Sequence, residues 1–117
     1  MNIKTVWAVY FSGTGTTEKV ATTLAKDLAE RLGAGYDTYC FNLPQAREKD
    51  LSFGPEDLVV LGTPVYAGRV PNLLMPYVRD HIKGNGTLGV PVVLYGNRNY
   101  DDGLIELRNL MRDNGFM

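Results

Sequence analysis

Apolar residues in this chain fall into short unbroken runs separated by stretches with helical spacing. Val6 to Phe11 is continuously apolar, which predicts a parallel strand buried on both faces. Beyond it, Val20, Ala21, Leu24, Ala25, Leu28, Ala29 and Leu32 recur at helical spacing, and Gly33 suits a left-handed C-terminal cap. Tyr36 to Phe41 alternates in the manner of a strand, while Asp57 to Gly62 and Val90 to Tyr95 read as further buried strands, each leading through a loop into a helical stretch. The last helix carries Leu104, Leu107, Leu110 and Met111 on one side and finishes around Asn114 and Gly115. Between strands, Leu43 to Leu51 reads as a short surface helix or turn whose charges meet solvent. Strands alternating with helices predict an α/β fold built on a parallel sheet.

Three strand-to-helix junctions carry the candidate chemistry. The first, Ser12-Gly13-Thr14-Gly15-Thr16-Thr17, places glycines and hydroxyls at a helix N-terminus, where unpaired N–H groups and the positive end of the helix dipole converge on an anion. Gly13 and Gly15 let the backbone curl close to a ligand, and Ser12, Thr14, Thr16 and Thr17 add hydroxyl donors. A nucleotide triphosphatase loop needs Gly-Lys-Ser/Thr, but Thr16 and Thr17 follow Gly15, and the dinucleotide fingerprint lacks its last glycine. The second junction is Thr63-Pro64-Val65-Tyr66-Ala67-Gly68-Arg69-Val70-Pro71, and the third is Gly96-Asn97-Arg98-Asn99-Tyr100-Asp101-Asp102. All three leave the carboxyl ends of parallel strands, the edge at which open α/β sheets bind ligands.

The run Ser-x-Thr-Gly-x-Thr from Ser12 to Thr17 resembles the FMN phosphate loop of the flavodoxin family, in which hydroxyls and amides hold the phosphate with little help from basic side chains. The resemblance extends through the other two loops and covers almost the whole chain. It implies a flavodoxin-like three-layer sandwich with a parallel sheet in the order 2-1-3-4, and FMN as cofactor. Phosphate would lie on Ser12 to Thr17. The isoalloxazine ring would lie between the loop of Thr63, Pro64, Val65, Tyr66, Ala67 and Gly68 and the loop of Gly96, Asn97, Arg98, Asn99, Tyr100 and Asp102. Tyr66 and Tyr100 would flank its faces, where offset stacking adds about 0.5–1.5 kcal/mol to area burial. The peptide at Ala67 and Gly68 would turn a carbonyl toward flavin N5, and Ala67 accepts the required conformation less easily than glycine. Arg69 and Arg98 beside the ring would favour its reduced anion by Coulomb attraction.

The passages from Gly62 to Pro71 and from Leu94 to Asp102 look most like the flavodoxin-like domain found ahead of ferredoxin-type iron–sulfur modules in some anaerobe proteins. The implied function is electron transfer by bound FMN, with a redox protein such as a ferredoxin-type module as partner. An FMN-dependent NAD(P)H or quinone reductase is one alternative, and a flavin-free interaction module is another. No general acid–base pair or nucleophile constellation is visible, so an electron carrier is expected rather than a stand-alone catalyst.

Composition narrows these readings. Cys40 is the single cysteine, so the chain holds no thiolate cluster for an iron–sulfur centre and no internal disulfide, and the thiol is expected to be buried and structural. A net charge of −1 gives no basic face for nucleic acid. There is no apolar run long enough for a bilayer and no charged-then-apolar leader, so the expected location is cytoplasmic. His81, near a helix C-terminus, reads as structural.

The 117 residues read as one flavodoxin-like FMN-binding domain that is C-terminally incomplete. Only Phe116 and Met117 remain where a fifth strand would begin, which leaves Val90 to Tyr95 as an open sheet edge. That edge is expected to be covered by the rest of a longer protein, by a homo-oligomer paired through it, or by exchange of elements between two copies.

Overall fold

The computed structural model describes residues 3–11, 15–42, 45, 49–65, 75–95 and 101–116; the side chains of residues 64, 65, 75, 76, 94, 95 and 101–106 lie outside that description. In chain order the elements are β1 (Thr5–Tyr10), α1 (Thr16–Leu32), β2 (Gly35–Cys40), β3 (Leu51–Ser52), β4 (Asp57–Val65), α2 (Met75–His81), β5 (Ile82–Lys83), β6 (Leu88–Tyr95) and α3 (Asp101–Asp113). The main sheet is parallel throughout, in the order β2-β1-β4-β6, the arrangement expected from the sequence.

Both faces of β1 are covered, as its unbroken apolar run predicts. Val6, Ala8 and Tyr10 point into one cluster with Ala21, Ala25 and Ala29 of α1, while Val9 and, at its edge, Trp7 join a second cluster containing Val78, Leu107 and Met111. The helix meets the sheet through its alanines, whereas Val20 and Leu32 are exposed and Leu24 and Leu28 are half-buried. Small side chains along the contact stripe allow close approach. A methyl built on Gly62 of β4 would stand 3.1 Å from Ala21 Cβ and 3.2 Å from Thr17 Cγ2, so the first turns of α1 lie directly on β4. Gly33 ends the helix in the left-handed conformation, φ 64°, where glycine pays no Cβ penalty.

The opposite face carries α2, α3 and a second, two-stranded parallel sheet of β3 and β5. The run from Leu43 to Leu51 reads as helix or turn in the sequence; residues 43, 44 and 46–48 lie outside the described residues, and Leu51 enters β3. Two-residue strands are too short to show periodicity, so this pairing is invisible before folding. His81 stacks on Tyr77 at 5.4 Å between ring centroids and meets Asp50 at 2.5 Å, tying the end of α2 to the start of β3. Asn114, just past α3, donates its side-chain amide to the carbonyls of Val78, Arg79 and Ile82 at 2.7, 3.1 and 2.8 Å, and thereby caps α2 from a distance in sequence.

One expectation is overturned. Cys40 is exposed rather than buried, because β2 is an edge strand and most of its side chains face solvent. The buried residue of that stretch is Phe41, one position further on, at 4.9 Å from the Tyr77 ring. At the other edge, Phe116 forms a parallel bridge with Thr87, immediately before β6, so the chain reaches the position of a fifth strand. Among the described residues, no helix is long and apolar enough to cross a membrane.

Candidate functional site

Strand order reverses between β1 and β4: the chain passes from β1 to β2 on one side, then returns to place β4 on the other. In open α/β sheets such a reversal is where the loops from the two strand ends diverge and a ligand crevice forms; the loops themselves, residues 12–14 and 66–74, lie outside the described residues. Register adds a step at this point. The last residue of β1, Tyr10, lies opposite Gly62, and Phe11 N–H still donates to the Gly62 carbonyl at 3.0 Å. β4 continues through Thr63, Pro64 and Val65, paired with Val93, Leu94 and Tyr95 of β6. At about 3.3 Å per residue the β4–β6 pair rises roughly 10 Å above the end of β1, and the first loop starts at the foot of that step.

The N-terminus of α1 stands at this foot. Gly15 is its N-cap, with φ 88° and ψ −11°, and it supplies no side-chain cap. A Cβ there would meet nothing within 4 Å, yet the left-handed backbone conformation still selects glycine. In any α-helix the first-turn N–H groups have no partner within the helix itself, and the positive end of the dipole lies with them. Thr17 is buried beneath them, its methyl against Gly62.

Thr63 adds an observation absent from the sequence reading. Its side chain is fully buried, and among the described residues its Oγ1 has no hydrogen-bond partner. A buried hydroxyl without a partner costs about 1–3 kcal/mol by mutational measures, so its persistence at the top of β4 suits a group whose partner is a ligand. The sequence places Thr63, Pro64 and Val65 in the second loop, whereas all three belong to the last turn-free residues of β4. Of the other expected site residues, Thr16 and Thr17 open α1 and Asp102 lies in the first turn of α3. Ser12, Gly13, Thr14, Tyr66, Ala67, Gly68, Gly96, Asn97, Arg98, Asn99 and Tyr100, with Arg69, lie outside the described residues.

Sequence reasoning also missed Tyr10 and Glu18. The Tyr10 hydroxyl, at the carboxyl end of β1, donates to Glu18 Oε2 at 2.7 Å across the first turn of α1. Only the strand-then-helix spacing of eight residues hints at this pair. Burial, followed by the hydrogen bond to Glu18 and its charge, pushes the phenol's ionisation well above the ordinary tyrosine range. The unfolded phenol ionises near pH 10. Stability from the raised folded value is therefore fully present below about pH 10 and is lost as pH climbs beyond it, at up to about 1.4 kcal/mol per pH unit. Urea unfolding of a Tyr10→Phe variant between pH 9 and pH 11 is expected to show a smaller alkaline loss than the parent; an identical loss would remove Tyr10 as its source.

No curated protein and no solved structure matches the chain well enough to guide assignment. A parallel sheet of order β2-β1-β4-β6, reversing between β1 and β4, and a glycine-capped helix following β1 agree with a family model that matches residues 8–98 and is described as a flavodoxin domain, and the chain belongs to that family.

Proposed function

We propose that the domain binds FMN in the crevice between the ends of β1 and β4 and serves as an electron carrier. Its partner would be a redox protein such as a ferredoxin-type module, acting in the cytoplasm. The observation that carries this reading is Thr63: a fully buried hydroxyl with no partner among the described residues, at the top of the strand that borders the crevice. It fits a planar polar ligand better than a fold held together for its own sake, since an unliganded module gains nothing from the burial.

When bound, FMN supplies the reversible electron chemistry. The chain supplies the rest. The first turn of α1 and the hydroxyls from Ser12 to Thr17 would receive the phosphate, with dipoles and hydrogen bonds in place of salt bridges. Gly15 keeps the entry to that turn free of a side chain. Tyr10 engages Glu18 through its hydroxyl and so orients the one acidic side chain of that turn. Pro64 and Val65, continuing β4 above the end of β1, would wall the ring on one side. Tyr66 and Tyr100 would shield its faces from water, and Arg69 and Arg98 would lend positive charge at its rim.

The purified protein incubated with FMN is expected to carry oxidised-flavin absorbance and to quench FMN fluorescence; a protein that stays colourless with unquenched FMN would overturn the proposal. Thr63→Val separates ligand from fold. Without FMN the variant should gain about 1–3 kcal/mol, since an unpartnered buried hydroxyl is removed at constant shape. FMN affinity should fall by roughly fivefold to tenfold, the loss of about 1–1.5 kcal/mol for one hydrogen bond. Equal changes in both states would mean that Thr63 does not touch the ligand.

A further inference from the structure

β2 forms the end of the sheet opposite β6, and its free side lies apart from the proposed FMN site. Gly35 N–H donates to Lys4 O at 2.8 Å and Phe41 N–H to Tyr10 O at 2.9 Å, so the odd-numbered residues of this stretch turn their main-chain groups toward β1. Tyr36, Thr38 and Cys40 therefore turn theirs outward, to a side that carries no neighbouring strand among the described residues. Apart from Tyr39, every residue of β2 is exposed. The sequence here favours pairing between molecules. Tyr36-Asp37-Thr38-Tyr39-Cys40-Phe41 holds three aromatics and a β-branched residue, no proline, no glycine and a single charge. Exposed edges are ordinarily blunted by proline, lysine, a bulge or another charge. Within this strand that task falls to Asp37 alone.

Its carboxylate is placed for the task. Asp37 Oδ1 accepts from the Thr38 N–H at 2.8 Å. Short acidic side chains can withdraw a backbone donor from a ladder in this way. Thr38 is the middle of the three residues that face outward, so an incoming strand would find the central donor of the edge already engaged. Beside that donor stands a negative charge, opposed to the carbonyl oxygens of the newcomer. The strand best matched to this edge is β2 of a second copy. Two β2 strands related by a two-fold axis run antiparallel, and the register that joins the most outward-facing residues sets each Thr38 against its counterpart and each Tyr36 against a Cys40. Both engaged donors then fall on the axis. The two Asp37 carboxylates share one face of the joined sheet, a like-charge pair that opposes the contact.

We propose that Asp37 is a guard that keeps the β2 edge from pairing with a second copy of this chain, chiefly by occupying the Thr38 N–H and in addition by its charge. A residue of this kind protects an otherwise strand-forming segment without a proline that would cost the strand its own ladder to β1.

The test uses the 117-residue protein and two variants. Asp37→Ala removes both acceptor and charge, whereas Asp37→Asn keeps an acceptor for the Thr38 N–H and removes the charge. Position 37 is exposed, so neither change disturbs the core. Amide exchange followed by NMR reads the edge directly. In dilute protein, Asp37→Ala should speed exchange of the Thr38 N–H about tenfold, the loss of one hydrogen bond, while Asp37→Asn stays near the parent. On concentration to the millimolar range, with a thiol reductant to keep Cys40 from cross-linking, exchange at Tyr36, Thr38 and Cys40 should slow together in Asp37→Ala and stay constant in the parent. Asp37→Asn should associate about tenfold more weakly than Asp37→Ala, again by one hydrogen bond. Four results overturn the proposal: unchanged Thr38 exchange in dilute Asp37→Ala, no concentration-dependent slowing at the three amides, the same slowing in the parent, or equal association of the two variants.

Discussion

Thr14→Val combined with Thr17→Val is expected to weaken FMN binding by about two to four powers of ten. Each hydroxyl that donates to a charged phosphate oxygen is worth about 1.5–3 kcal/mol, and each 1.4 kcal/mol is tenfold in affinity. Valine matches threonine in shape, so the Thr17 methyl keeps its contact with Gly62 and α1 stays seated on β4. Thr14 lies outside the described residues and enters on its place in the loop. Riboflavin, which lacks the phosphate, is the control: fluorescence titration should show its affinity nearly unchanged. A matching loss for riboflavin would mean that the substitutions damaged the ring site, and an unchanged FMN affinity would move the phosphate elsewhere.

Gly115→Ala is expected to be the most damaging single methyl among the described glycines. Gly115 has φ 98°, a conformation that costs a residue with a side chain about 1–3 kcal/mol, and a Cβ built there overlaps the carbonyl of Gly84. That carbonyl belongs to backbone, so it cannot rotate aside as a flexible side chain would. The turn it would disturb is densely bonded: Gly84 N–H donates to Asn114 O at 2.8 Å, Gly86 N–H to Gly115 O at 3.1 Å, and Phe116 N–H to Met111 O at 3.0 Å. With overpacking added at about 1–3 kcal/mol, a total loss of about 2–6 kcal/mol is expected, a large part of a small domain's stability. Urea denaturation measures it. Gly54→Ala serves as the reference, because a methyl there meets nothing within 4 Å, and it should stay within about 0.5 kcal/mol of the parent. A Gly115 variant as stable as the Gly54 variant would show that the turn relaxes freely.

Loss of that turn would also release Asn114, whose side chain caps α2, and Phe116, whose backbone meets Thr87. Three segments distant in sequence thus depend on one glycine, and nothing in the local pattern near Gly115 announces it. The sequence shows only a helix end followed by a glycine, a common arrangement whose usual consequence is local.

The site divides in a similar way. The proposed phosphate loop from Ser12 to Thr17 is an expectation that one dimension can supply, because an anion site at a helix N-terminus would be built from consecutive residues. Thr63 reads as one loop residue among several until packing encloses it and withholds a partner. Tyr10 and Glu18 face each other only because the chain reverses between strand and helix, and Cys40 is exposed because β2 ended at a sheet edge, a position that alternation cannot report. In α1 the periodic set holds both alanines and leucines, and only packing shows that the alanines are buried against the sheet while the leucines stay half-buried or exposed; periodicity finds the apolar face but not which side of it sits closest.

What this chain's residue order settles unaided is local and periodic: where β1, α1, β4, β6 and α3 lie, that the strands run parallel, and that a glycine and threonine loop opens α1. Such features arise from neighbours within a turn or two, and their physics is complete at that range. Folding alone determined the strand register that lifts β4 above β1, the isolation of the Thr63 hydroxyl, the β3–β5 pairing and the meeting of Phe116 with Thr87. Each depends on which distant surfaces come together and exclude water, and burial is a property of the assembled core rather than of any segment.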